Sequence, residues 1–416
     1  MRGSIRHRGD ERAGSWEYIV DVGMATAQRC QSCGRRFWVE RKPKESCPRC
    51  GGTLHETEER RRAVKAGFRT RKEAQAAMAK VMVAVEQQIY VAPARVTVRE
   101  YLTKEWLPAV KATIRPSTYN SYVQHVDCHI VPYIGSIKLT KLTGAQANAL
   151  YARLAETGTD GRRALSPQTI HHVHACLHKA CRDAVRWGQL SRNPLDAADP
   201  PRARGDGAKE MKTWTKEELR AFLEAIADER LHALWHTIAM TGMRRGEALG
   251  LRWGDVDFEA GRLAIRRALI PVGRDVVVSE PKTARGRRVI AIDPDTVEVL
   301  KAQAARQLDE QKLWGEGWTD SGYVFTAEDG QYLHPERVSR YWRQAIRRAM
   351  VPKIRLHDLR HTHATLALQA GVHPKVVSER LGHATVAMTL DIYSHAIPAM
   401  QEEAAALIAG LVFASR

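Results

Sequence analysis

The pattern of apolar and polar positions in the first ninety or so residues predicts strand structure followed by a helix. The run Trp16–Val22 is rich in aromatic and β-branched residues, which favours a strand. A helix is predicted to begin at Thr70, because Thr70 and Glu73 have the spacing of a capping box. The stretch Val91–Ala94 then predicts a linker to the next segment.

From about Val96 to Asn193 the pattern changes to one that is helical throughout. Ser166 followed by Pro167 is typical of a helix start. Apolar residues then recur at helical spacing, which predicts one buried helix face. These residues are Ile170, Val173, Leu177, Cys181 and Ala184. The polar, turn-rich stretch Asp199–Ala208 predicts a second linker.

The last two hundred or so residues mix helices with short β-type runs. Thr215 and Glu218 form another expected capping box, and helices are predicted from there to about Leu251 and again from Pro335 onward. Between these helices, three apolar runs predict one small antiparallel sheet. The runs are Leu263–Ile265, Val276–Val278 and Val289–Ile292.

Composition and charge narrow the class of partner. The 416 residues include 65 Lys and Arg against 47 Asp and Glu, so the formal net charge is +18. Such a surplus favours a polyanionic partner, nucleic acid before acidic membrane. The amino-terminal residues lack the apolar core of a secretory signal, and no stretch approaches the roughly 18 apolar residues of a membrane span. Seven cysteines, an odd number, favour a reducing cytoplasm over a disulfide framework.

Four of the cysteines form two C-x2-C pairs, Cys30 with Cys33 and Cys47 with Cys50. Paired knuckles of this kind supply four thiolates to one tetrahedral Zn²⁺. Because all four ligand positions belong to the protein, the predicted zinc is structural and has no open position for chemistry. Coincidental cysteines and a redox pair are the alternatives, and the redox pair is disfavoured because no βαβ pattern surrounds it.

Several short blocks in the carboxyl-terminal half carry residues suited to metal-free phosphodiester chemistry. They are Thr241–Glu247, Pro281–Thr283, Leu356–Arg360, and Leu381–His383 followed by Tyr393. Arginines can hold phosphate oxygens as charge builds, histidine or lysine can transfer protons, and tyrosine can form a phosphoester. Each block taken alone also fits an ordinary surface or core role, so only the order of the blocks along the chain indicates this chemistry.

That order resembles the tyrosine recombinase family, and in particular integrases of phages and conjugative elements. The family signature is an arginine in T-G-x-R-x-x-E, a β-hairpin lysine, H-x-x-R, a histidine in L-G-H and a downstream tyrosine. Every part is present here in that order. The resemblance implies that Arg244 and Arg360 bind the scissile phosphate and that Lys282 is the general acid. It also implies that His357 and His383 support proton transfer and phosphate positioning, that Glu247 is structural, and that Tyr393 is the nucleophile.

The resemblance covers nearly the whole chain and implies three domains. Residues 1–90 correspond to an arm-site DNA-binding domain of strands and a helix, with a zinc ribbon inserted at about residues 28–54. Residues 95–197 correspond to an all-α core-binding domain, and residues 209–416 to a mixed α/β, mostly helical catalytic domain. The zinc insert is the one departure from the family pattern.

The implied reaction integrates and excises a mobile genetic element through a 3′-phosphotyrosyl intermediate, without ATP or a catalytic metal. The implied partners are double-stranded DNA at core and arm attachment sites, three further copies of the chain in a tetramer, and an excisionase or DNA-bending factor, all in a bacterial cytoplasm. An apolar stripe in the tail, from Met400 to Val412, fits a segment that passes to a neighbouring protomer.

Two other functions fit parts of the sequence. A type IB topoisomerase has a similar set of active-site groups, but the arm-binding segment and the Leu-Gly-His block favour a recombinase. A zinc-ribbon DNA-binding regulator with an inactive recombinase domain is the second alternative, and the intact set of catalytic positions disfavours it. Plasmid relaxation without a cognate site would identify the first, and a lack of covalent protein–DNA adducts the second.

Overall fold

The computed structural model of the protein describes residues 3–9, 14–39, 43–87, 96–156, 164–202, 211–273, 275–280, 286–393 and 400–413. Contacts divide the chain into two units, the first made of Met1–Ile114 with Ser121–Gly205 and the second of Arg115–Asn120 with Asp206–Arg416. Within the described part of the chain, no helix has both the length and the apolar character required to cross a membrane.

The first unit opens with a four-stranded antiparallel sheet. Its strands are β1 (Gly3–Arg8), β2 (Ser15–Cys30), β3 (Arg36–Trp38) and β4 (Leu54–Phe68). The long strand β2 pairs with β1 and β3, and with β4 along nearly its whole length. The strand predicted at Trp16–Val22 is confirmed. It is longer than its apolar pattern because the ladder with β4 continues to the pair Cys30 and Leu54.

Helix α1 (Arg71–Glu86) follows β4 and packs against β2. Its predicted start is confirmed, because the Thr70 side chain accepts a hydrogen bond of 3.1 Å from the Glu73 N–H. The reciprocal half of the capping box differs from the prediction. The Glu73 carboxylate accepts from the N–H of Arg69, one residue earlier, and still satisfies a free donor ahead of the helix.

A helical segment follows. Its helices are α2 (Val98–Glu100), α3 (Leu107–Lys111), α4 (Pro116–Gln124), α5 (Val131–Ile134), α6 (Gly144–Glu156) and α7 (Pro167–Arg186). π-helical turns at Tyr101–Trp106 and His125–Ile130 join α2 to α3 and α4 to α5. The buried stripe predicted on α7 is confirmed at all five positions.

Polar atoms within this helical core are satisfied between helices. The Tyr101 hydroxyl donates to the Ala180 carbonyl at 2.7 Å, and the Trp106 indole donates to the Asp183 carboxylate at 2.9 Å. Both aromatic side chains are buried in the π-helical turn Tyr101–Trp106. The two hydrogen bonds therefore fix the register between the first helix of the segment and α7.

The second unit is mostly helical. Its helices are α8 (Lys216–Ala225), α9 (His232–Thr241), α10 (Arg245–Leu249), α11 (Pro294–Trp314), α12 (Pro335–Ala349), α13 (Leu356–Gln369), α14 (Pro374–Leu381), α15 (Val386–Tyr393) and α16 (Met400–Phe413). The capping box predicted at Thr215 and Glu218 is present with both of its hydrogen bonds.

The strands of this unit form two sheets, whereas the sequence predicted one. They are β5 (Val256–Asp257), β6 (Arg262–Ile265), β7 (Ala268–Val272), β8 (Asp275–Ser279) and β9 (Arg288–Ala291). β5, β6 and β9 make one antiparallel sheet, and β7 pairs with β8 as a separate hairpin. The apolar runs were located correctly. Their pairing was not, because β8 finds its partner in β7, a strand that the apolar pattern did not indicate.

An aromatic cluster holds three helices of the second unit together. Trp214, Phe222 and Trp342 lie with ring centroids 4.9–5.6 Å apart, and Trp235 of α9 lies 5.2 Å from Trp342 of α12. The Trp214 backbone N–H also donates to the Thr362 hydroxyl of α13 at 3.1 Å. This dry packing sets α9 and α13 in fixed positions, and both helices carry residues of the site described next.

Candidate active site

The Thr-Gly-Met-Arg block forms a tight turn between α9 and α10. Gly242 ends α9 with a φ of 65°, a conformation that favours glycine. A Cβ at Gly242 would lie 2.6 Å from a methyl carbon of Leu381 and 2.8 Å from the His363 ring. The turn thus needs glycine for both conformation and space. It places Arg244 at the start of α10, with its guanidinium partly exposed.

Arg360 is buried and joins that turn to the end of α14. Its two terminal nitrogens donate to the carbonyls of Gly242 and Leu381, each at 2.7 Å. Burial, and then the nearby charge of Arg244, lower the pKa of Arg360 to about 9, so the guanidinium still carries its charge at neutral pH. The H-x-x-R and T-G-x-R blocks, far apart along the chain, therefore meet at one point.

The carboxylate of Glu247 bridges two arginines, Arg244 and Arg288. It accepts from the Arg244 guanidinium at 2.8 Å and from the Arg288 guanidinium at 2.8 Å. Arg288 is itself almost fully buried and also donates to the Arg380 carbonyl at 2.6 Å. No sequence motif pointed to Arg288. Its position just before the β-type run Val289–Ile292 gave no indication that its side chain points inward to an acidic residue.

Tyr393 is fully buried at the end of α15, and its hydroxyl contacts a histidine. The phenolic oxygen lies 2.7 Å from Nδ1 of His361 on α13. His361 follows His357 by one helical turn, and the two rings lie 5.0 Å apart. The predicted catalytic set contains His357 but not His361. The available signal was the i, i+4 spacing of the two histidines on one helix face.

His383 lies on the other side of Tyr393. Its ring is nearly parallel to the tyrosine ring, with centroids 6.5 Å apart, and its Nδ1 contacts the Thr389 hydroxyl at 2.8 Å. Gly382 ends α14 with a φ of 65°, which turns the chain so that His383 points inward. The structure thus gathers five of the six predicted catalytic residues, and Lys282 lies outside the described residues.

Burial and the arginines set the protonation states in this site. Burial raises the pKa of Tyr393 to about 12, against the opposing effect of the Arg360 and Arg244 charges. Burial and neighbouring positive charge lower the pKa of His383 to about 4. Burial also lowers the pKa of His357. At neutral pH the arginines therefore supply the positive charge, while these histidines are neutral and free to accept protons.

A second cluster, of four cysteine sulfurs, lies at the end of the amino-terminal sheet. Sγ of Cys30 is 3.4 Å from Sγ of Cys50, and Sγ of Cys33 is 3.7 Å from Sγ of Cys47. All four sulfurs lie within 4.8 Å of one another. A tetrahedral zinc with Zn–S bonds of about 2.3 Å requires sulfurs about 3.8 Å apart, so the donor set and its spacing suit Zn²⁺.

Two family descriptions match the chain. Residues 212–400 match the phage integrase family, and residues 97–154 match the phage integrase amino-terminal SAM-like domain. A tyrosine recombinase XerC-like protein of Caldanaerobacter subterraneus subsp. tengcongensis is 28% identical over 355 residues, which cover 81% of this chain and 88% of the relative. The ICEBs1 integrase of Bacillus subtilis is 28% identical over 303 residues, with coverage of 72% and 79%.

Solved structures share the fold at lower identity. The Tn1549 transposon integrase in complex with transposon right end DNA matches with a TM-score of 0.61 and 20% identity, covering 74% of this chain and 100% of that one. A lambda integrase dimer bound to a COC' core site matches with a TM-score of 0.53 and 16% identity, covering 88% and 94%. The predicted multidomain, mostly helical fold is therefore confirmed, with a SAM-like domain ahead of a catalytic domain.

Proposed function

The chain belongs to the phage integrase family of tyrosine site-specific recombinases, and from this premise we propose that it integrates and excises a mobile genetic element with Tyr393 as its nucleophile. The observation that carries the proposal is the buried Tyr393 phenol, whose hydroxyl contacts His361 on the helix that also carries Arg360. A phenol fixed at such a site is suited to attack on a phosphodiester, whose oxygens the guanidinium groups of Arg244 and Arg360 would hold.

The proposed reaction assigns one task to each group. Arg244 and Arg360 hold the non-bridging oxygens of the scissile phosphate, while the Tyr393 oxygen bonds to phosphorus and the bond from phosphorus to the 5′ oxygen breaks. Lys282 protonates the departing 5′ oxygen, and His357 and His383 position the phosphate and support proton transfer. The phosphotyrosyl bond stores the energy for rejoining, so ATP is not needed, and tyrosine recombinases need no catalytic metal.

The DNA partner is proposed to be bound by three domains. Residues 95–197 grip the core site together with the catalytic domain, residues 209–416, and residues 1–90 bind arm sites. Two structural relatives support this proposal, since the lambda integrase dimer is bound to a core site and the Tn1549 integrase is in complex with transposon right end DNA. With chromosomal or element DNA as substrate, the protein acts in the cytoplasm of a bacterial host, where an excisionase or bending factor would set direction.

Assembly into a tetramer is proposed to use the carboxyl-terminal helix. In α16 the side chains of Ile408, Val412 and Phe413 are exposed, although all three are apolar. Each would add roughly 1.5–3 kcal/mol if buried against a second copy of the chain, before the cost of ordering the tail. The remaining positions of the stripe predicted from the sequence lie among side chains that the structure does not describe.

Strand exchange between two cognate sites tests the function. The sites are taken from the DNA that flanks the gene and placed on one supercoiled plasmid, and the products are mapped by sequencing. We expect site-dependent deletion or inversion, and a synaptic complex that contains two DNA sites and four protein chains. Relaxation of a plasmid without such sites at an equal rate would instead identify a topoisomerase. A failure to form covalent adducts on any site would identify an inactive regulator.

The four cysteines Cys30, Cys33, Cys47 and Cys50 are further proposed to bind one structural zinc ion. Elemental analysis of the purified protein should find one zinc per chain, since four thiolates saturate the ion. The double variant Cys30→Ser/Cys47→Ser should lose the metal and the binding of arm-site DNA, because small knuckles of this kind fold around their metal. Cleavage at the core site should persist, since the catalytic groups lie in the other unit.

The matched control for the zinc experiment is Cys128→Ser. Cys128 is a half-buried cysteine outside the cluster, so this variant should keep its zinc and its binding to arm sites. If the double variant keeps a full equivalent of zinc, the cluster is not the metal site. If wild-type protein purified without chelator holds no zinc yet binds arm DNA, the ribbon folds without metal.

A further inference from the structure

We propose that His361 is the catalytic residue that takes the proton from Tyr393 during DNA cleavage and returns it during rejoining. This inference rests on the proposed function, and it gives to His361 a proton transfer for which the family signature offers only His357 and His383. It is carried by the direct contact of 2.7 Å between Nδ1 of His361 and the hydroxyl of Tyr393. That distance is the length of a good hydrogen bond between the reacting oxygen and an imidazole.

The other two histidines of the site are less well placed for this task. His383 presents its ring face to the Tyr393 ring, at 6.5 Å between centroids, and its Nδ1 is already engaged by Thr389. The His357 ring packs against the His361 ring, with centroids 5.0 Å apart. Among the described residues, His361 is therefore the histidine within hydrogen-bonding distance of the phenolic oxygen.

The surroundings of His361 keep it able to accept a proton. Burial, and then the neighbouring His357, lower the pKa of His361 to about 4, with Asp358 opposing and Arg360 and Arg355 adding to the effect. These groups lie on its own helix, and Tyr393 and His383 face it from the elements packed against α13. At neutral pH the imidazole is thus uncharged. In the tautomer with its proton on Nε2, Nδ1 offers a lone pair to the phenol.

Tyr393 needs such an acceptor. Because burial raises the pKa of Tyr393 to about 12, only about one phenol in 10⁵ would be ionised at pH 7 without help. In the proposed step, the Tyr393 oxygen forms its bond to phosphorus while its proton passes to Nδ1 of His361. The bond from phosphorus to the 5′ oxygen breaks, and that oxygen receives a proton from the general acid. Rejoining runs the same transfers in reverse.

The substitution His361→Asn tests the step. The asparagine amide occupies nearly the place of Nδ1 and can keep a hydrogen bond to the phenol, but it cannot take the proton. The assay is the rate of covalent adduct formation on a nicked cognate site with a 5′-bridging phosphorothiolate, because sulfur leaves without an acid. On this substrate the pH profile reports only the ionisation of the nucleophile.

We expect the asparagine variant to bind the site as the wild-type protein does but to cleave roughly 100-fold or more slowly at pH 7, within the usual range for a lost general base. Its rate should rise about tenfold per pH unit between pH 7 and 9, since only pre-ionised phenolate reacts. The wild-type rate should be nearly flat over that range. A fluorinated, more acidic tyrosine at position 393 should restore most of the variant's rate.

Two further variants and a second substitution keep the result interpretable. His373→Asn is the matched control, because His373 is an exposed histidine that caps α14 through its side chain, a role that asparagine also performs. It should cleave at the wild-type rate. His357→Asn shows the pH signature instead of His361→Asn if His357 is the true acceptor. Should His361→Asn lose its fold, His361→Gln carries the same measurements with an amide of longer reach.

The experiment distinguishes failure of the His361 assignment from failure of the proposed function. Wild-type rates and a flat pH profile in His361→Asn would overturn the proposal, and so would a slow variant whose rate neither rises with pH nor responds to the acidic tyrosine. In that last case His361 merely positions the phenol. A wild-type protein that forms no adduct at all would contradict the proposed function itself and not this assignment.

Discussion

Replacing Tyr393 with phenylalanine is expected to abolish covalent attachment to DNA while leaving DNA binding close to the wild-type level. Only the phenolic oxygen can form the phosphoester, so its removal leaves no slower route to the same intermediate. The ring would keep its packing against Ala364, Leu368, Val377 and Leu381. The loss of the hydrogen bond to His361 should cost only about 1 kcal/mol of stability.

The measurement for Tyr393→Phe is denaturing electrophoresis of protein trapped on a nicked suicide site, beside a titration of DNA binding. Tyr332→Phe is the matched control, since Tyr332 is a partly exposed tyrosine of the same unit, outside the active-site cluster. It should form adducts at the wild-type rate. A covalent adduct formed by Tyr393→Phe would place the nucleophile elsewhere and remove the basis for the proposed roles of Arg244 and Arg360.

Local signals in the sequence located several elements of the fold. The capping box at Thr215, the proline after Ser166 and the apolar stripe of α7 each depend on residues within a turn or two of one another. Such interactions are encoded in the spacing of a few neighbours, so the sequence alone was enough. The left-handed conformation of Gly242 in Thr-Gly-Met-Arg is a local requirement of the same kind, although no helix end was predicted there.

Contacts between residues far apart along the chain could not be predicted from such local spacing. Arg288 and Glu247 lie 41 residues apart and meet only in the folded chain, and the β7–β8 hairpin depends on which strands pair. The contact between His361 and Tyr393 likewise requires α15 to fold back on α13. The family signature named residues by their order along the chain, and so it missed groups whose role is to hold or serve those residues.

Glu247, which the family signature does include, shows how a supporting group affects the site. Burial by itself would raise its pKa, but the hydrogen bond and charge of Arg288, and the charge of Arg244, lower it to about 2. Because this folded-state pKa lies below the ordinary value of 4.5, the contribution of Glu247 to stability is complete above pH 4.5. That contribution is lost as the pH falls towards 2, and the arginines then lose their shared anion.

Glu247→Gln is therefore expected to weaken both the fold and the chemistry. Removing one partner of a buried pair leaves Arg288 as an uncompensated cation, which typically costs roughly 3–5 kcal/mol. Arg244 also loses its anchor, and a displaced guanidinium should slow cleavage by roughly 100-fold. Calorimetry should show a lower melting temperature for the transition of the second unit, and the adduct assay should report the slower cleavage.

Two companion variants decide whether charge is the cause. Glu298→Gln breaks an exposed pair with Lys301 on α11, and it should change stability by no more than about 1 kcal/mol. Adding Arg288→Met to Glu247→Gln removes the stranded cation, so the double variant should be more stable than Glu247→Gln alone although its cleavage stays slow. If the double variant instead loses as much stability as Glu247→Gln and Arg288→Met lose together as single variants, the two side chains act independently. The charge of Glu247 would then not be what stabilises the pair.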